Sequence, residues 1–274
     1  MLRFCANISM MFTEVPMLER PAAARRAGFL GVEILSPFEF PAEDWARACR
    51  AAGVEVANFN APVGDRKRGE LGLAGLPGRT AEFRDTVQQA LRYAEVLGAK
   101  RLTVHSGAIP PGMRREDCLA VLPQNLDWAA ELCAHSGVTC MTEAINNIDR
   151  PTALLHRTSD ALGVIRSTRN PKLKIEADIY HMAVMGEDID SVLRHDTADI
   201  AHVQFADFPG RHEPGTGRVK FDEIFTTLDE IRFPGWISAE YVPSGPTEKS
   251  LAWFEPYRAI ISTVKPYADS ANGG

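Results

Sequence analysis

A barrel of eight parallel strands, each followed by a helix, is the fold this chain predicts. Short β-rich runs alternate strictly with longer helical stretches, eight of each. The 274 residues nearly match the roughly 250 that one such barrel uses. The rival, an open doubly wound sheet, would carry a glycine-rich phosphate loop after its first strand, and the first run leads instead into SMMFTEVP.

The elements follow in order. Arg3–Ile8 leads to a helical stretch over Met17–Ala27, in which Pro21 marks a kink or a late start. Gly31–Leu35 precedes a helix over Ala42–Ala52, Glu55–Asn60 one over Ala81–Leu97, and Arg101–His105 one over Arg115–His135. Val138–Glu143 pairs with Thr152–Thr168, and Leu173–Asp178 with Asp188–His195. Ala201–Phe205 pairs with Phe221–Ile231, and Gly235–Glu240 with Glu248–Val264. Glycine follows Ala27, Ala52, Leu97 and Ser136, where a left-handed residue ends a helix. Ala61–Gly78 is a long loop at the strand ends, placed to act as a lid. With no break in composition, one domain is expected over 1–274, with 265–274 as a frayed tail.

Composition narrows the function classes. At 45% hydrophobic and 24% charged, the chain is far from disordered or membrane compositions, and no run approaches the roughly 18 apolar residues of a spanning helix. A formal charge of −6 argues against a nucleic-acid partner. Five scattered cysteines without a CxxC pair suit reduced thiols, and the N-terminus lacks a long apolar leader. Cytoplasmic residence is therefore expected. Assembly into a homo-oligomer is compatible with the sequence.

Active sites of such barrels lie at the carboxyl ends of the strands. There the fifth run ends on Glu143 and the sixth on Asp178; the seventh carries Gln204 and then Asp207, and the eighth ends on Glu240. Buried carboxylates are costly unless paired or bound to a cation. One hard divalent ion, Mn²⁺, Mg²⁺ or Co²⁺, suits three carboxylates and a carboxamide, so Glu143, Asp178, Gln204 and Glu240 form the expected metal site. His181 is placed to hydrogen-bond a substrate oxygen, and a loop histidine satisfied by its surroundings fits the spacing as well. Arg211 is placed to hold a substrate carboxylate through a forked pair of hydrogen bonds, steadied by Asp207 four residues before it. Asn7, Asn60 and His105 end other runs and are expected to line the same cavity. Glu176 shares a strand face with Asp178 and is expected to point into the barrel. The HEPGTG stretch at His212–Gly217 lacks the lysine of a phosphate loop and reads as a turn.

Several stretches together resemble one family. RFCANISMMFTEVP near the start, GELGLAGLPGR at Gly69–Arg79, EAINNID from Glu143, DIYHM from Asp178, HVQFAD with RHEPGTG, and AEYVPSG from Ala239 are similar to the hydroxypyruvate isomerases, a branch of the xylose-isomerase-like TIM barrels. The resemblance covers roughly Met1 to Arg258, and the NISMMFTEVP opening resembles the 2-oxo-tetronate isomerase branch still more. It implies metal ligation by Glu143, Asp178, Gln204 and Glu240, proton transfer by Glu143 and Glu240 as an acid/base pair, and substrate contacts from His181 and Arg211. The implied reaction interconverts hydroxypyruvate and tartronate semialdehyde, or acts on a closely related short sugar acid. A ketose 3-epimerase is the nearer alternative. The wider epimerase group usually has histidine where Gln204 stands. A metal-dependent hydrolase of abasic DNA is the more remote alternative, because it needs a histidine-rich zinc cluster and a basic face.

Overall fold

The computed structural model describes residues 1–258. Eight strands, β1 (Arg3–Asn7), β2 (Gly31–Ile34), β3 (Glu55–Phe59), β4 (Arg101–Thr103), β5 (Thr139–Glu143), β6 (Leu173–Asp178), β7 (Ile200–Phe205) and β8 (Trp236–Ala239), form one parallel sheet. The order is β3-β2-β1-β8-β7-β6-β5-β4. A parallel bridge between Asn60 and Thr103, with Ala61 N–H donating to Thr103 O at 2.8 Å, draws the two edges together into a (β/α)8 barrel.

Helices cover the outside: α1 (Arg20–Arg26), α2 (Ala42–Ala52), α3 (Thr80–Leu97), α4 (Arg115–His135), α5 (Thr158–Thr168), α6 (Ile179–Val184), α7 (Ile189–His195) and α8 (Phe221–Glu230). Gly53 and Gly98 end α2 and α3 with φ of 67° and 69°, a conformation that costs glycine nothing. The strands are buried on both faces, so Phe4, Val32, Ile175 and Phe205 pack outward against helices. Phe4, Phe205, Phe225 and Trp253 meet edge to face on one flank, each of the three buried phenylalanines contributing roughly 1.5–3 kcal/mol.

Several boundaries differ from expectation. Pro21 delays α1, which begins at Arg20 after a 3-10 turn over Met17–Glu19 and takes the proline in its first turn. The fifth helix starts at Thr158 rather than Thr152, because the chain before it bridges back to Ala108 and Thr152 O accepts from Ile109 N. The short α6, which places His181 on a helix, was not expected; the Asp178 side chain caps it by accepting from Tyr180 N at 2.8 Å. After β8 a 3-10 helix spans Thr247–Phe254 and residues 255–258 continue as α-helix; the expected last helix beyond 258, like the tail 265–274, lies outside the described residues. Among the described residues, no helix is long and apolar enough to cross a membrane.

The barrel interior is layered. At the amino-terminal end Trp236 packs with Cys5 and Ala57, and Arg3 stacks on its ring at 4.0 Å. Above it lies a polar layer unusual for this architecture: Glu33, Asn58, Thr103, Glu176 and His202, all buried. Glu176 points inward, where its Oε1 accepts from Asn58 Nδ2 at 2.8 Å.

Candidate active site

At the carboxyl ends of the strands a cleft of about 770 Å³ opens, lined by Asn60, Arg66, His105, Arg150 and the groups described next. Glu143, His181, Gln204, Arg211 and Glu240 face it. Asp178 stands beside them: its Oδ2 lies 3.4 Å from His181 Nε2 and 3.5 Å from Arg211 Nη2.

Asp178 and Gln204 are each gripped from behind and present an atom forward. Asp178 Oδ1 caps α6, which leaves Oδ2 buried without a hydrogen-bond partner. The Gln204 amide donates through Nε2 to Glu33, which leaves Oε1 likewise buried and unpartnered. Glu240 Oε1 accepts from Asn7 Nδ2 at 3.2 Å, and its Oε2 from Arg211 at 2.7 Å. Ligand-type atoms of Glu143, Asp178 and His181 all lie within 4.8 Å of one another. Two orphaned buried oxygens beside two more carboxylates fit a divalent cation, which would satisfy all of them at once.

The electrostatics agree. Burial, then the charges of Asp178 and Glu240, push the Glu143 carboxyl well above the usual range. Burial raises Glu240 to about 8, opposed by Arg211 and reinforced by Asp178. Burial also holds His105 and His181 near 4, so both rings are neutral at physiological pH.

The proton on His181 can be placed. Asn146 Oδ1 accepts from the backbone N–H groups of Ile148 and Asp149 at 3.0 and 2.8 Å, which fixes the direction of the amide. Its Nδ2 therefore donates to His181 Nδ1, at 2.6 Å. A neutral ring that accepts at Nδ1 carries its proton on Nε2, the atom nearest Asp178 and Glu143. His181 thus presents a donor to the cleft.

Arg211 does not pair with Asp207 as expected. The Asp207 carboxylate is spent on the backbone N–H groups of Phe208, Gly215, Gly217 and Val219, at 2.8–3.0 Å, and so winds the loop that HEPGTG belongs to. Gly217 is required there, since a Cβ would lie 2.5 Å from Asp207 Oδ1. The loop swings Arg211, at φ 57°, over the Tyr180 ring, its guanidinium 4.8 Å from the ring centre. Asn7 is fully buried behind Glu240, whereas Asn60 and His105 line the cleft, with His105 Nδ1 3.5 Å from Glu143 Oε2. The base of the Ala61–Gly78 loop is fixed: Gly72 packs on the His105 carbonyl, and Gly75 N–H donates to Ser106 O at 2.7 Å. Its tip carries Arg66 over the cleft mouth.

Sequence reasoning missed Glu33, His202, Asn146 and Tyr180. Only His202 left a signal, standing two residues before Gln204 and so on the same strand face.

Residues 21–257 match the model of the xylose isomerase-like TIM barrel family. The chain is 41% identical to the 2-oxo-tetronate isomerase of Cupriavidus necator, over 94% of this chain and 99% of that one. It is 38% identical to the hydroxypyruvate isomerase of Escherichia coli K12, over 94% and 100%. A crystal structure of an AP endonuclease, family 2, from Brucella melitensis superposes with a TM-score of 0.91 at 38% identity, covering 94% and 100% of the two chains.

Proposed function

The chain belongs to the xylose isomerase-like TIM barrel family, and from that premise we propose that it isomerises a short 2-oxo acid by moving a proton between neighbouring carbons. The substrate class is hydroxypyruvate, interconverted with tartronate semialdehyde, or its four-carbon 2-oxo-tetronate counterpart. The observation that carries this reading is the pair Glu143 and Glu240, buried in one cleft at the ends of strands β5 and β8, with Asp178 and Gln204 on the two strands between. The names of the curated relatives support it.

Glu143, Asp178, Gln204 and Glu240 would hold one divalent cation, Mn²⁺, Mg²⁺ or Co²⁺. When bound, the cation polarises the substrate's carbonyl and hydroxyl oxygens and makes the C–H between them more acidic. One glutamate takes that proton, the hydroxyl proton passes to the former carbonyl oxygen, and the other glutamate, approaching from across the cleft, delivers a proton to the neighbouring carbon. His181 donates from Nε2 to a substrate oxygen. Asn60 and His105 add polar contacts, while Asn7 steadies Glu240 from behind. The AP endonuclease name points to DNA hydrolysis as a second reading. Against it stand a formal charge of −6 and, among the described residues, a rim dominated by carboxylates with only His105 and His181 at Glu143.

A panel of three- to six-carbon 2-oxo acids and ketoses tests the assignment. Turnover of the short acids is expected, and a preference for neutral ketoses would overturn it.

Arg211 sets that preference. Its guanidinium, kept charged by Glu240 and Asp178 despite burial, matches a carboxylate with two parallel hydrogen bonds. Arg211→Ala is expected to raise KM for hydroxypyruvate about 10- to 100-fold, the equivalent of a lost charged hydrogen bond, with Arg211→Lys intermediate. KM for any neutral ketose should hardly move. An unchanged KM for the acid in the alanine variant would place the carboxylate elsewhere, with Arg66 the next cation to replace.

A further inference from the structure

Glu33 is fully buried beneath the cleft and is not among the residues that line it. It stands on β2 in register with Asn7 of β1. Its Oε2 lies 2.8 Å from His202 Nε2, and its Oε1 accepts from Asn7 Nδ2 at 3.3 Å and from Gln204 Nε2. Removing a carboxylate from water costs several kcal/mol, and here three N–H donors offset it.

A carboxamide can turn either end toward a neighbour. The Glu33 oxygen that faces Gln204 already accepts from Asn7, so the reversed amide would press one acceptor against another in a dry interior. The amide is therefore held with nitrogen toward Glu33. Its oxygen is left buried, unpartnered and level with Asp178 across the β6–β7 register. We propose that Glu33, anchored by His202, is a positioning residue that fixes the Gln204 amide with its oxygen toward the cation site. The inference rests on the reading of Gln204 as a ligand.

Cys5, Glu33 and His202 also bring ligand-type atoms within 4.8 Å of one another, as a second metal site would. The Glu33 oxygens are already engaged by three N–H groups, and burial keeps the Cys5 thiol protonated. Glu33 and His202 form a hydrogen-bonded support with Cys5 beside them.

The test compares Mn²⁺ dissociation constants, read from the electron paramagnetic resonance of free Mn²⁺, across variants of the full chain. Glu33→Ala is expected to weaken Mn²⁺ binding by about 10- to 100-fold, the usual effect of removing a partner that orients a ligand. In a Gln204→Glu background the same substitution should leave affinity unchanged or improve it. A carboxylate has two equivalent oxygens to offer and would be relieved of a like-charged neighbour. Equal losses in both backgrounds would overturn the inference, because Glu33 would then act through its charge or through the fold. No loss in either would overturn it as well. Gln204→Ala is run beside them: if it binds Mn²⁺ as tightly as the parent, the ligand reading fails and takes the inference with it. Thermal unfolding of each metal-free variant reports folding, and Glu33→Met, which preserves volume, replaces the alanine variant if that one does not fold.

Discussion

Replacing either Glu143 or Glu240 by glutamine is expected to lower kcat by about 10²- to 10⁴-fold, the usual worth of a positioned proton-transfer group. Glutamine keeps an oxygen for a cation and nearly the same volume, yet cannot accept a proton. In the metal-free chain the same substitutions should raise the melting temperature at pH 8. Both carboxyls are buried beside the charge of Asp178, and Glu143 beside that of Glu240 as well, so a neutral amide relieves a cost that for Glu240 outweighs its pairing with Arg211. Loss of activity together with gain of stability is a signature that damage to the fold does not produce. A variant that retains near-parental kcat would reduce its glutamate to a ligand or a structural acid.

Extensive chelation is expected to abolish turnover, and Mn²⁺, Mg²⁺ or Co²⁺ to restore it, because Asp178 Oδ2 and Gln204 Oε1 are buried without a hydrogen-bond partner. Stability should follow pH in a matching way. The Glu240 carboxyl, near 4.5 when solvated, stands at about 8 in the folded metal-free chain. Across that window the folded chain keeps a proton that the unfolded chain gives up, so raising the pH favours unfolding. The melting temperature of the metal-free chain should therefore fall from pH 4.5 toward 8. A bound cation takes the proton's place, so the gain in melting temperature on adding metal should grow with pH. Full activity in a chain shown by elemental analysis to hold no metal would remove the cation from the reaction.

The strand ends were legible because an apolar run that stops on a carboxylate or carboxamide is costly without a purpose, and four adjacent runs do so. Glu33 was not, although its cost is the same. Within GVEIL, in a strand buried on both faces, alternation does not tell inward from outward. Its partners Asn7 and Gln204 lie 26 and 171 residues away. The expected Asp207–Arg211 pair failed for a different reason. A spacing of four suits a helix, whereas this segment is a loop whose amides converge on Asp207 and leave Arg211 for the cleft. The tautomer of His181 was beyond reach, since it depends on an amide held by a turn 35 residues earlier.

Conversion of hydroxypyruvate in deuterium oxide, followed by proton NMR, bears most directly on the glutamate pair. If one glutamate removes the proton and the other delivers one from across the cleft, the delivered atom comes from solvent. Each turnover then places about one deuterium on carbon in the product, and neither Glu143→Gln nor Glu240→Gln sustains that rate. Full conversion by the parent chain to a product free of carbon-bound deuterium would contradict the two-glutamate relay, because hydrogen would then pass directly from one carbon to the next.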